Sequence, residues 1–181
     1  MPWTPTESRY SKVSITLHWL MLVLLVLVYT TIEFRGVFPK DSDGRALLKA
    51  LHFMLGLSVF VLVWLRLFAR TRGAAPQIVP AAPQWQTLLA TLMHGALYVF
   101  MLAMPILGWL VVSAAGNSVW FYGLELTPLI DADQALAKQI KGWHALGGTL
   151  GYWLVGLHAV AGLYHHYVMR DNTLRRMLPK R

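Results

Sequence analysis

Residues 143–169 read WHALGGTLGYWLVGLHAVAGLYHHYVM, and their reading decides the fold. The stretch contains no Asp, Glu, Lys or Arg. It is long enough to cross the ~30 Å hydrocarbon core of a bilayer, which takes about 20 helical residues. Two of its histidines, His144 and His158, are 14 residues apart. That is nearly four helical turns, so both project from one face, about 21 Å apart along the axis. An ionisable side chain inside hydrocarbon is costly and by default marks a functional site. Imidazole is the usual axial ligand of haem iron. Two imidazoles in register suit two haems stacked across a membrane, each needing a partner of equal depth from another helix.

Three more spans are expected, at residues 13–32, 50–68 and 88–112, the last with Pro105 as a kink. A Pro-rich stretch, APQIVPAAPQW, separates the second and third and cannot be a regular helix. Residues 113–141 form a longer loop with Gly, Asn and Pro breakers, and its DADQALAKQIKGW portion suits a short surface helix. The first apolar run lacks a small-residue cleavage site and reads as a span rather than a signal peptide. The expected fold is all-α: one membrane domain over residues 1–181, a four-helix bundle.

Composition agrees. The chain of 181 residues is 56% hydrophobic and 13% charged, with mean hydropathy +0.50, against ~25% charged in a soluble domain. There is no Cys, which excludes disulfides, iron–sulfur clusters, thiol catalysis and covalent haem attachment. The net charge of +8 lies at the ends of apolar runs, as topology signals do, rather than in a nucleic-acid patch.

One side of the membrane would carry Arg9, Lys12, Arg66, Arg70, Arg72, Arg170, Arg175, Arg176, Lys180 and Arg181, with Glu7 and Asp171. The other would carry Arg35, Lys40, Arg45, Lys49, Lys138 and Lys141, with six acids. Ten bases against six place both termini in the cytoplasm.

Depth then sorts the histidines. His52, in KALHFMLGL, and His144 begin spans at the outer face and pair naturally. His18, in VSITLHWLMLVLLVLVY, and His94, in LLATLMHGALYVFMLAM, lie toward the inner face, and either suits His158. The plain alternative is that such histidines only hydrogen-bond a neighbouring helix. Gly56, Gly147, Gly148, Gly151, Gly156 and Gly162 would clear room for a flat macrocycle, or would simply let helices pack closely.

Several segments together carry a resemblance: YSKVSITLHWL, EFRGVFPK, the surroundings of His52, GWHALGGTLGYWLVGLHAVAGLYHH and RDNTLRRMLP. Over nearly its whole length the chain resembles the bacterial cytochrome b561 family of four-helix, di-haem membrane proteins, and within it the superoxide oxidase members. The resemblance implies that His18 and His158 ligate an inner haem b, and His52 and His144 an outer one. His94 would then be a non-ligand. It implies an inner (cytoplasmic) membrane location, superoxide as donor at the outer face, and ubiquinone reduced beside the inner haem, near His165.

Superoxide is a small anion, so bases near the outer haem would steer it: Lys141, three residues before His144, and Arg45 and Lys49 before His52. His165, seven residues after His158, would face a quinone carbonyl and relay protons, with Ser14 and Arg9 as weaker candidates. A protein partner is possible but not required. The main alternative is a cytochrome b subunit linking a dehydrogenase or hydrogenase to the quinone pool. The short outer loops and the lack of a fused partner domain favour the self-contained oxidoreductase. A third reading, a haem-free scaffold or transporter, leaves the histidine register unexplained.

Overall fold

The computed structural model describes residues 9–73 and 75–179. Glu7, Lys180 and Arg181, which entered the charge comparison, lie outside the described residues. The chain forms four helices, α1 (Lys12–Phe34), α2 (Asp43–Thr71), α3 (Gln84–Ala114) and α4 (Gln134–Tyr164). All four are long and apolar enough to cross a membrane. The described ends meet at one end of the bundle, where the Tyr10 amide donates to the Arg176 carbonyl at 3.1 Å. This end is termed inner and the opposite end outer.

The helices outrun their apolar runs because polar caps start them early. Ser11 accepts from the Ser14 amide, Ser42 from the Arg45 amide, and Asp133 from the amides of Ala135 and Leu136. Residues 134–143 are therefore the first turns of α4 and not a separate surface helix. Nothing in QALAKQIKGW stops a helix, and Gly142 costs only about 1 kcal/mol. After Tyr164 the chain makes a π-helical turn, His165–Met169, and Arg170 ends it in the left-handed conformation at φ 53°. Pro105 lies within a continuous α3.

The outer loop holds a hairpin that the sequence reading did not anticipate. Strands β1 (Val119–Phe121) and β2 (Leu124–Leu126) pair antiparallel. Tyr122 and Gly123 turn between them, both with positive φ, as a two-residue hairpin demands. Val119 is buried against Leu57 and Val112, so the hairpin lies on α2 and α3.

Helix α1 packs along α2, α2 along α3, and α3 along α4. Helix α4 makes its extensive backbone contact with α3 and not with α1 or α2. A small core of Met21, Val59, Val63, Leu97 and Met101 ties the bundle, with Leu154 and Val155 reaching it from α4. Large apolar side chains such as Val26, Val99 and Trp153 point outward, as befits a surface solvated by lipid. Without hydrophobic burial between helices, association rests on close packing. Two glycines of α4 supply it. A Cβ on Gly151 would strike the Tyr29 hydroxyl and the Phe100 ring, and one on Gly147 would stand 2.5 Å from the Met104 sulfur.

The tail 171–179 seals the inner end. The indole of Trp19 donates to the Met177 carbonyl at 2.7 Å. Asn172 exchanges bonds with Gln77 and Val79 of the Pro-rich loop. Buried Arg176 donates to the Pro76 carbonyl and stands over the Tyr10 ring. Arg176→Ala should lower the stability of the detergent-solubilised protein by about 2 kcal/mol, the worth of a buried charged hydrogen bond. Thermal unfolding measures it, and an unchanged midpoint would show that the tail does not hold this end.

Candidate functional site: two histidine clusters in the bundle

The side of α4 that faces α1 and α2 carries His144 and His158, and each meets an imidazole across the gap. In the outer half, His52 of α2 faces His144 with ring centroids 6.1 Å apart and planes at 81°. His52 Nδ1 donates to the Val28 carbonyl of α1 at 3.1 Å. That bond fixes the tautomer and leaves Nε2 with a free lone pair. His144 Nδ1 is buried without a hydrogen-bond partner. The two rings line a cavity of about 390 Å³ with Tyr29, Glu33, Arg35, Gly56, Gly108, Lys141, Gly148 and Tyr152. Its volume lies in the range of roughly 300–1,000 Å³ typical of ligand and cofactor sites.

In the inner half, His158 meets two rings. His18 of α1 lies 6.1 Å away at 69°, and His94 of α3 lies 5.4 Å away at 75°. His94 Nδ1 donates to the Ala90 carbonyl at 2.6 Å. His18 Nδ1 accepts from Arg66 Nη2 at 2.8 Å.

These donor sets fit b-type haem. Among the described residues no group of three or more His, Asp or Glu is placed to hold a bare metal ion. The histidines instead face each other in pairs, as two axial ligands do when a macrocycle supplies the rest. The ring centroids lie 6.1 Å apart in His52–His144 and in His18–His158, and 5.4 Å apart in His94–His158. Gly56 and Gly148 line the outer cavity, and a Cβ on either would meet nothing within 4 Å. Gly156 and Gly162 also face open space, whereas Gly147 and Gly151 serve helix packing.

The bases expected near the outer site divide. Lys141 lines the cavity with His52 and His144. Arg45 does not, and donates to the Phe38 carbonyl at 3.2 Å. Lys49 borders a separate outer pocket with Lys40, Asp41 and Asp43. Arg35, at the end of α1, lines the main cavity in their place, and its position just beyond span one was the available signal. Sequence reasoning also missed Tyr29 and Tyr152, whose rings stack at 4.2 Å. Their hydroxyls donate to the Gly148 carbonyl and to Glu33, each at 2.8 Å.

At the inner end, His165 Nδ1 pairs with Asp171 at 2.5 Å. Burial alone would raise the Asp171 pKa, but hydrogen bonds from His165 and Thr173 outweigh it and hold the carboxyl below its ordinary value. Ser14 takes part in the cap of α1, with Ser11 Oγ donating to its hydroxyl at 3.0 Å. Arg9 is tied to the carbonyls of Leu178 and Pro179.

The model of the prokaryotic cytochrome b561 family matches residues 9–180. The chain belongs to that family. It is therefore a membrane haem protein of electron transfer, and its family binds b-type haem. It is 40% identical over 174 residues to cytochrome b561 homolog 1 of Escherichia coli (strain K12), covering 96% of this chain and 99% of that one. It is 36% identical over 175 residues to the probable superoxide oxidase CybB of Yersinia pestis, covering 97% and 98%. Cytochrome b562 of Cereibacter sphaeroides is 27% identical over 183 residues, covering 97% and 98%.

Two outcomes test this geometry. Gly148→Leu fits the helix but fills the outer cavity, so the protein should keep its helicity and lose haem content. Full haem content per chain would show that this cavity does not seat the cofactor. Asp171 has a folded pKa below its unfolded one, so its contribution is full above the unfolded value and vanishes as pH falls through the folded one. Asp171→Asn should therefore lower the melting temperature at pH 7 and reduce the further loss on acidification below about pH 4. Identical melting at both pH values would show that the His165 pair contributes nothing.

Proposed function

We propose that the chain is a superoxide:ubiquinone oxidoreductase, with superoxide oxidised at the outer end and ubiquinone reduced at the inner end. The observation that carries this reading is the pair of facing imidazoles, 6.1 Å between rings, repeated at two depths along α4. His52 and His144 would hold the outer haem b, and His18 and His158 the inner one. Bound there, the two haems supply one-electron redox chemistry. With both axial positions filled by His, outer-sphere electron transfer is the natural role.

The chain's own groups divide the remaining work. Superoxide is an anion, and Lys141 and Arg35 are the cations that reach the outer cavity. They draw the anion in, while Glu33, bonded to Tyr152, tempers the field. Each superoxide gives up one electron and leaves as dioxygen, so no proton is needed at that end. Reducing one quinone takes two electrons and two protons. His165 donates through Nδ1 to Asp171, which leaves Nε2 to face a quinone oxygen and hold a proton there. Ser14 offers a hydroxyl at the same end of the bundle. The surplus of bases at the inner end supports placing it, with both termini, on the cytoplasmic side of the inner membrane.

Stopped-flow mixing of oxidised protein with superoxide tests the reading. Haem reduction should be fast and should reverse when a short-chain ubiquinone is present. Arg35→Gln with Lys141→Gln should slow it about tenfold or more at low ionic strength and flatten its salt dependence, and Arg45→Gln should not. His144→Ala should remove one haem and abolish the reaction. A two-haem protein inert to superoxide would move the assignment to a subunit that exchanges electrons with a protein partner.

A further inference from the structure

Arg66 is a charge of the inner half that neither a carboxylate among the described residues nor the proposed reaction accounts for. Arg66 lies in α2, five residues before its end at Thr71, within the membrane-spanning segment. At 1.5 Å per residue this is about 7.5 Å in from the helix end. Its guanidinium stands 5.8 Å from the Tyr98 ring centre, with Arg70, one turn on, at 5.9 Å from the same ring. Among the described residues the ion pair present is His165–Asp171, and Arg66 has no carboxylate partner. A guanidinium keeps its charge at any physiological pH, and at such depth a charge without a counter-ion is costly.

The partner it does have is informative. Arg66 Nη2 donates to His18 Nδ1 at 2.8 Å. Guanidinium has donors only, so His18 Nδ1 is the acceptor and the proton of the neutral ring sits on Nε2. In that tautomer Nε2 has no lone pair to give a metal. When His18 ligates through Nε2 its proton moves to Nδ1, and Arg66 then has nothing to donate to there. It must turn to another acceptor within reach of the same ring. A b-type haem carries two propionate carboxylates, whose two oxygens match the guanidinium fork.

We propose that Arg66 is the anchor of a propionate of the haem held by His18 and His158. The proposal rests on the di-haem reading. It makes Arg66 the counter-ion of the inner haem, so the charge balance of this half is completed by the cofactor and not by the polypeptide. The face of the Tyr98 ring lies against the guanidinium and helps to place it.

Spectroelectrochemical titration of the haem-loaded protein tests it. The wild type should show two one-electron haems, the inner one being that lost in His158→Ala. Arg66→Gln removes a positive charge beside the inner haem and favours its ferric form. The reduction equilibrium of that haem should fall about tenfold, a shift of about 59 mV to lower potential for one electron, while the outer haem stays where it was. Arg66→Lys should keep most of the potential. An unmoved inner potential, or an equal shift in both haems, would overturn the proposal. If Arg66→Gln loses the inner haem and keeps the outer one, Arg66→Lys decides. Restored haem supports the charge pairing, and continued loss overturns it. Fewer than two haems in the wild type sinks the di-haem reading itself, and the variants play no part in that outcome.

Discussion

The separation of α4 from α1 and α2 is the constraint on which everything else depends. α4 packs along α3, and its other side looks across a gap into which His144 and His158 project. A membrane bundle gains nothing from leaving such a gap, because helix association in lipid comes from close packing and hydrogen bonds. The glycines show the two solutions side by side. Gly147 and Gly151 let side chains of α3 and α1 press against the α4 backbone, while Gly56 and Gly148 border the outer cavity with open space before them. The spacing of histidines on one helix and the stand-off of that helix are thus two aspects of one design.

How much of this was legible beforehand varies with the kind of signal. The four spans and the paired histidines were readable because a membrane imposes strict rules on length and polarity, so a His inside an apolar run stands out. Direction around a helix was less readable. Lys49 precedes His52 by three residues and Lys141 precedes His144 by three, yet Lys141 lines the outer cavity and Lys49 borders another pocket. Identical spacing gave different outcomes because α2 and α4 present different faces to the gap. Arg66 was counted only as a topology charge, since nothing in the order of residues says that it turns inward onto His18. The hairpin at 119–126 was hidden because three-residue strands are too short for alternation to show. The tail RDNTLRRMLP was noticed as a pattern, but its work of holding residues 76–79 and Trp19 is visible only in the folded chain.

The two ends differ in how they handle charge, and the difference follows from the chemistry proposed for each. At the outer end Lys141, Arg35 and Glu33 border the cavity directly. The proposed superoxide oxidation would exchange no proton there, and His52 is held by a neutral carbonyl. At the inner end, where the proposed quinone reduction would take up protons, the chain places a carboxylate, Asp171, against an imidazole, His165, under the cover of the tail.

That cover also explains why the helix ends as it does. Continuing α4 as a regular helix would carry Arg170 and Asp171 on beyond His165. The π-helical turn at His165–Met169 and the left-handed Arg170 instead fold the chain back, so that the amides of Arg170 and Asp171 both donate to the His165 carbonyl. The reversal brings the Asp171 carboxylate onto its own helix terminus, 2.5 Å from His165 Nδ1. π turns recur at functional sites because they aim side chains that a straight helix would misplace. Here the aim is achieved within seven residues, by the same backbone that closes the bundle. The His165–Asp171 pair and the seal over the inner end are therefore one structure, and neither can be altered without disturbing the other.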